Sequence, residues 1–268
     1  MARRNRFSRS ALLAVSLLAA SLGLSQASYA FTGSGIGIGQ QAGSSDAQNK
    51  LNKSQFKDVK VSVDGSGIAT LTGSVNLYEY KADAANRVRK AKGVTAVRND
   101  IQVSGPTVPD DQLKAKLAEK LAYDRVGYGT TTFNAIGITV ENGVVTLAGH
   151  AYSYPDKDSA VALVSTFPGV KDVVDDIEVD PTSMMDDQTR LAVARAIYGY
   201  PSLNKYAIDP AKPIRISVQN GHVSLYGMVD SKADSDTANI RANAVPGVFS
   251  VKNYLQVAGQ TSEKEKSQ

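Results

Sequence analysis

The sequence predicts an α+β protein of three tandem small αββαβ domains, each a three-stranded mixed sheet with helices on one face. Three observations predict it: a unit that recurs without gaps, apolar alternation of period two that runs into turn residues, and a helical stretch before the last strand of each unit. The recurrence is carried by Gly73, Gly149 and Gly227, each preceded two positions earlier by Leu71, Leu147 or Leu225. Twenty residues on stand Gly93-Val94, Gly169-Val170 and Gly247-Val248, and ten beyond those glycines stand Val103, Val179 and Val257. Between them runs one pattern: Val97, Asn99, Ile101; Val173, Asp175, Ile177; Val251, Asn253, Leu255.

The periods within each copy assign its elements. Ile136, Ile138 and Val140 alternate, as do Ile214, Ile216 and Val218, and Val59, Val61 and Val63 match them. Each run meets a turn at residues 64–67, Asn142-Gly143 or Asn220-Gly221, then a second alternating run, which is a β-hairpin. Apolar residues at i, i+4 and i+7 follow, marking a helix: Ala84, Val88, Ala91; Ala160, Val164, Phe167; Ala238, Ala242, Val245. The Gly-Val pair places glycine near the helix C-cap and opens the third strand. Asp110-Asp111 and Asp186-Asp187 precede first helices carrying Leu117 and Leu121, or Val193 and Ile197, where acidic side chains oppose the positive end of the helix dipole. In copy one only the weak stretch 46–56 occupies that position, a degenerate first helix. The repeated Gly73, Gly149 and Gly227 are expected to let a helix backbone approach the strand. Asn99, Asp175 and Asn253 are expected to make local backbone hydrogen bonds.

The ends complete the division. Residues 1–30 read as a signal peptide: a basic start, an apolar segment and a small-residue cleavage site between Ala30 and Phe31. A Gly-rich leader spans 31–45, the domains span 46–103, 110–179 and 186–257, and a polar tail spans 258–268. The apolar segment is short for a membrane span, so the mature protein is expected to lack one.

Charge and cysteine content narrow the function. The whole chain carries 30 basic and 26 acidic residues, and the excess equals Arg3, Arg4, Arg6 and Arg9 of the signal segment. The mature chain is neutral, which removes the main support for nucleic-acid binding. The absence of cysteine excludes disulfides, thiolate metal sites and cysteine nucleophiles. By domain the net charges are about +4, −6 and +2.

At the strand and turn residues the chain resembles the BON domain family, a module of bacterial envelope proteins. The resembling segments are VSLYG at 223–227 and GVFSVKNYLQV at 247–257, with GVTAVRNDIQV at 93–103; Asp175 stands where the pattern has asparagine. The resemblance implies a non-enzymatic periplasmic module, possessing no shared catalytic residue, in envelope integrity, osmotic stress, phospholipid attachment or chaperone-like roles. Outer-membrane association is compatible with it.

His150, Ser153, Asp156 and Ser159 are the types of a catalytic triad, yet the other copies keep none of them as a set, and alternation turns His150 away from the helices. His150 and His222 occupy unrelated positions, and the acidic pairs lack calcium-loop spacing, so no catalytic, cofactor or metal site is expected. Lys81, Arg87, Arg89, Lys90 and Lys92 gather on or after the second helix of copy one. They suit anionic phospholipid headgroups, or else a solvated face or docking on the acidic second copy. Tyr123, Tyr128, Tyr198, Tyr200 and Tyr206 crowd the long loops, where they suit contact with envelope proteins or, with greater weight, packing within and between copies. The two functional readings are thus a lipid-surface protein and a chaperone-like adaptor, with oligomeric state left open.

Overall fold

The computed structural model describes residues 38–123, 131–181 and 183–259. Domain 1 comprises α1 (Ile38–Asn49), β1 (Val59–Val63), β2 (Ile68–Val75), α2 (Tyr78–Val88), β3 (Ala96–Asn99) and β4 (Gln102–Val103). Domain 2 comprises α3 (Asp110–Tyr123), β5 (Ala135–Glu141), β6 (Val144–Ala151), α4 (Tyr154–Ser165) and β7 (Asp172–Val179). Domain 3 comprises α5 (Met184–Tyr198), β8 (Arg215–Gln219), β9 (His222–Val229), α6 (Lys232–Asn243) and β10 (Ser250–Val257).

Each sheet has the hairpin's second strand at its centre, antiparallel to the first and parallel to the last. A parallel return needs a crossover, and α2, α4 and α6 supply it. In domain 1 the last strand is interrupted after Asn99, so that β3 and β4 both pair with β2. Alternation puts Val145, Leu147 and Ala151 of β6 against Leu113, Leu117, Ala160 and Val164 from the two helices, all buried. His150 falls on the opposite, helix-free face, as the alternation required.

Five local expectations change or sharpen. The first helix of copy one is not confined to 46–56: α1 begins at Ile38, inside the stretch read as a leader, and Ser54–Phe56 is a separate 3₁₀ turn. The strand glycines serve another backbone, and it is not a helix. A Cβ on Gly73, Gly149 or Gly227 would lie 1.9, 2.2 or 2.6 Å from the carbonyl oxygen of Asp58, Ala135 or Pro213, at the start of the neighbouring strand. Their φ values of +112°, +112° and +130° exclude other residues as well. The Gly-Val pairs lie beyond the helix C-cap, each in a four-residue turn closed by Val94 N–H to Ala91 O, Val170 N–H to Phe167 O, or Val248 N–H to Val245 O.

The acidic first turns do more than face a dipole. Asp110 accepts the N–H groups of Asn142 and Gly143 at 2.6 and 2.9 Å, and Asp186 those of Asn220 and Gly221 at 2.9 and 2.8 Å. The helix start therefore clasps the hairpin turn of its own sheet. Asn99 and Asn253 each bridge two elements, donating to Lys81 O or Ser235 O and accepting from the N–H two residues on. Asp175 keeps the acceptor half, toward Ile177 N–H, but cannot donate. Lys157 replaces the lost donor, its ammonium 3.0 Å from Asp175 and 2.7 Å from Ile177 O.

Replacing Gly149 with alanine is expected to destabilise domain 2 by about 2 kcal/mol or more, through the clash and the positive φ together. Gly137→Ala, whose Cβ meets nothing closer than 3.6 Å, should stay within about 0.5 kcal/mol of wild type. Chemical denaturation of the two variants compares them.

Candidate functional site

Helix α2 exposes one end and docks the other. Near its start, the Lys81 ammonium lies 3.3 Å from Asp172 of domain 2, with only 19% of the side chain exposed. Tyr78 packs against the core of domain 2, and burial, then the Asp172 charge, push its phenol pKa up. Arg87 bonds Asp83 at 2.7 Å and lies over the Phe56 ring at 5.7 Å. Beyond it, Arg89, Lys90 and Lys92 are exposed, Arg89 bonding Asn86 and the Lys92 backbone N–H bonding Asp46. Lys90 and Arg87 rim a shallow depression of about 260 Å³ with Lys50, Asp83 and Asn86. Of the five basic candidates, then, Lys81 ties two domains together and the last three face solvent.

The tyrosines divide between interior and surface. Tyr198 donates to Ile214 O at 2.6 Å, and burial pushes its pKa up to about 12. Tyr206 is buried; its hydroxyl donates to Asp234 at 2.8 Å and accepts the Asp230 N–H at 2.7 Å. Both hold the long loop of domain 3 onto its own sheet. Tyr200 is at the surface beneath the Arg241 guanidinium, 5.3 Å above its ring. Tyr123 is exposed and donates to Asp209 of domain 3 at 3.3 Å, and that carboxylate raises its pKa. Tyr128 lies outside the described residues, as do Ala30 and Phe31.

The polar set around His150 does not converge as a triad. Ser153 caps α4, accepting the Asp156 N–H at 3.3 Å and donating to the Asp156 carboxylate. His150 turns the other way, toward domain 3. Its Nδ1 lies 3.3 Å from Asp180 Oδ1 and 3.1 Å from the Gln219 amide nitrogen, so it donates to the first or accepts from the second according to its tautomer.

Asp180 is the centre of this junction. It follows β7 directly, its side chain is wholly buried, and it accepts from Ser217 Oγ and Gln219 Nε2 of β8, each at 2.9 Å. Arg190 of α5 is 2% exposed; it stands 3.5 Å from Asp180, bonds Asp187, and donates to Val218 O at 2.9 Å. Its guanidinium covers the Tyr152 ring of domain 2 at 4.9 Å. A buried carboxylate and a buried guanidinium thus join the end of one sheet to the edge strand of the next.

The sequence reading missed Asp180 and Arg190. Asp180 sat in what read as linker. Arg190 did carry a signal, because it precedes Val193 and Ile197 at i, i+3 and i+7, which places a cation on the core side of the helix. Among the described residues no group of three or more histidine and carboxylate side chains gathers in a metal-binding arrangement, and no helix is long and apolar enough to cross a membrane.

Three αββαβ units, each with its own core and with charge and aromatic groups distributed differently over their surfaces, define a tandem-module α+β protein. The BON domain family matches residues 44–105, 109–181 and 200–259, and the chain belongs to that family. It is 28% identical over 199 residues to the osmotically-inducible protein Y of Escherichia coli (strain K12), covering 70% of this chain and 90% of that protein. Among solved structures, the C-terminal domain of CdsD, the structural protein of the type III secretion system of Chlamydia trachomatis, is 15% identical. It covers 80% of this chain and 96% of its own, at a TM-score of 0.21. The periplasmic domain of PrgH is 9% identical, covering 79% and 98%, at a TM-score of 0.18. Superposition at that level bears on neither fold nor function here.

The Tyr206 cluster gives domain 3 an acid sensitivity. Burial alone would raise the Asp234 pKa, but hydrogen bonds from Tyr206, Lys205 and Ser231 outweigh it and hold the carboxyl below its ordinary value. Because the folded value lies below the unfolded one, the stabilisation is complete above about pH 4 and is lost as pH falls through the folded value. Asp234→Asn should therefore lower stability at neutral pH and flatten its fall below pH 4, read by urea unfolding across pH 2–7.

Proposed function

We propose that this chain is a non-enzymatic, exported envelope protein that associates with anionic phospholipid surfaces in the periplasm through domain 1, supporting envelope integrity under stress. The observation that carries the reading is the exposure of Arg89, Lys90 and Lys92 at the free end of α2, on the domain with the largest positive charge. A lysine or arginine near an anionic leaflet contributes about 1 kcal/mol, so three together favour the bound state by on the order of 100-fold at low salt. The match to an osmotically-inducible relative supports the stress role. Lys81 is set aside from this surface by its contact with Asp172. A chaperone-like adaptor draws on fewer residues than the sequence offered, since Tyr198 and Tyr206 serve the interior of domain 3.

Sedimentation with phosphatidylglycerol-containing vesicles tests the proposal. The triple variant Arg89→Glu, Lys90→Glu, Lys92→Glu should lose binding by about 100-fold or more, and wild-type binding should weaken as salt rises. Lys81→Glu should bind as wild type. Equal binding by the triple variant and wild type would contradict the reading.

A further inference from the structure

The helix-free face of domain 3 differs from those of the other two domains. Register places Gln219, His222 and Ser250 in one row across the three strands, Ser217, Ser224 and Lys252 in the next, and Arg215, Tyr226 and Tyr254 in the third. The middle row is a low serine floor between taller walls. One wall is aromatic: the Tyr226 and Tyr254 rings stack at 5.1 Å and 11°, and His150 of domain 2 extends the line at 6.1 Å from Tyr226. The opposite wall contains His222, which bonds Ser250 at 2.8 Å and meets the Phe249 ring edge-on at 6.0 Å. The buried junction at Asp180 closes the end at β8, and Lys252 marks the end at β10. The groove is open to solvent along its top and holds about 540 Å³.

The lining selects the ligand. None of the described lining residues is aliphatic, which disfavours an acyl chain. The single lysine or arginine among them is Lys252, which disfavours a polyphosphate backbone. Hydroxyl, amide and imidazole groups, each able to donate or accept, stand beside an aromatic stack in which Tyr226 lies between His150 and Tyr254, and the outer ring, Tyr254, is 51% exposed. That combination matches a pyranose ring, which has hydroxyls around its rim and C–H groups on its face for stacking on tyrosine. We infer that this groove binds a saccharide unit of a glycan chain, with Tyr254, backed by Tyr226, as the stacking ring.

The site belongs to domain 3 and not to the repeat. The repeat register places Ala148 and Thr72 where Tyr226 stands, and Asp176 and Asp100 where Tyr254 stands. Core positions on the same strands recur in kind in all three copies, so the tyrosine pair is not something that closing the fold requires. The volume lies within the range of small-molecule sites, roughly 300–1,000 Å³. The site is also separate from the basic end of α2, so the two assignments stand or fall independently.

Calorimetric titration of the full chain with tetrasaccharides of glucose, of galactose and of N-acetylglucosamine tests the inference. At least one should bind, Tyr254→Ala should weaken it by about tenfold or more, and Tyr254→Phe should retain it, because the ring face is what stacks. The exposure of Tyr254 makes its truncation compatible with folding, which a thermal melt checks. Lys90→Glu should bind saccharide as wild type. No binding across the three series at about 10 mM probe, or binding that Tyr254→Ala leaves unchanged, would overturn it. So would loss of vesicle binding by Tyr254→Ala, which would reassign the face to membrane.

Discussion

Burying the carboxylate of Asp180 completely obliges the residues around it to compensate, because a charge removed from water must be met by hydrogen bonds and an opposite charge. Ser217 and Gln219 meet it from β8, and Arg190 meets it from α5. Those three groups belong to domain 3, whereas Asp180 directly follows the last strand of domain 2 and has His150 of that domain 3.3 Å away. The position of the third sheet relative to the second therefore depends on satisfying this one group. Arg190 also donates to Val218 O on the edge strand and covers Tyr152, so a single side chain serves strand edge, carboxylate and aromatic ring. Other contacts between these domains, among them His150 toward Gln219 and Tyr226, Tyr123 toward Asp209 and Phe133 against the core of domain 3, add to the geometry that the buried pair favours.

That constraint places the two candidate surfaces. With β8 joined to the end of β7, the helix-free face of domain 3 comes against His150, and the groove acquires its closed end. Domain 1 is attached by other means, through Lys81 with Asp172 and through Tyr78 on the neighbouring core. Those contacts use the beginning of α2 and leave its far end to solvent. Each repeat thus contributes the same interior and a different exterior: cations on domain 1, an acidic domain 2 between, and an aromatic polar groove on domain 3.

The interior was legible in the sequence because its physics repeats. Leu71, Leu147 and Leu225 must fill one kind of core, and a glycine must follow where the neighbouring strand's carbonyl leaves no room for a Cβ. Three copies under one packing constraint make such positions visible without coordinates, although the glycines' close neighbour proved to be a strand carbonyl. The exchange at Asp175 shows the limit: the lost donor is visible in the sequence, but its replacement by Lys157 depends on a side chain eighteen residues earlier reaching from α4 to β7. Features that occur once were hidden. Asp180 and Arg190 act between copies, where comparing copies conveys nothing, and Tyr226 with Tyr254 become a pair only through the parallel register of β9 and β10. The first helix of domain 1 was similarly obscured, since Gly39 and Gly43 within α1 mask its pattern.

The measurement closest to the central claim is equilibrium denaturant unfolding of the full chain, followed by probes placed separately in domains 2 and 3. If the buried pair joins them, the two domains unfold in one coincident transition in wild type. Asp180→Ala leaves Ser217 and Gln219 without their acceptor and Arg190 with Asp187 as its one carboxylate partner, so the account predicts a loss of about 3 kcal/mol and separation of the transition into two. Two separate transitions in wild type, or an Asp180→Ala curve that overlays the wild-type one, would contradict it.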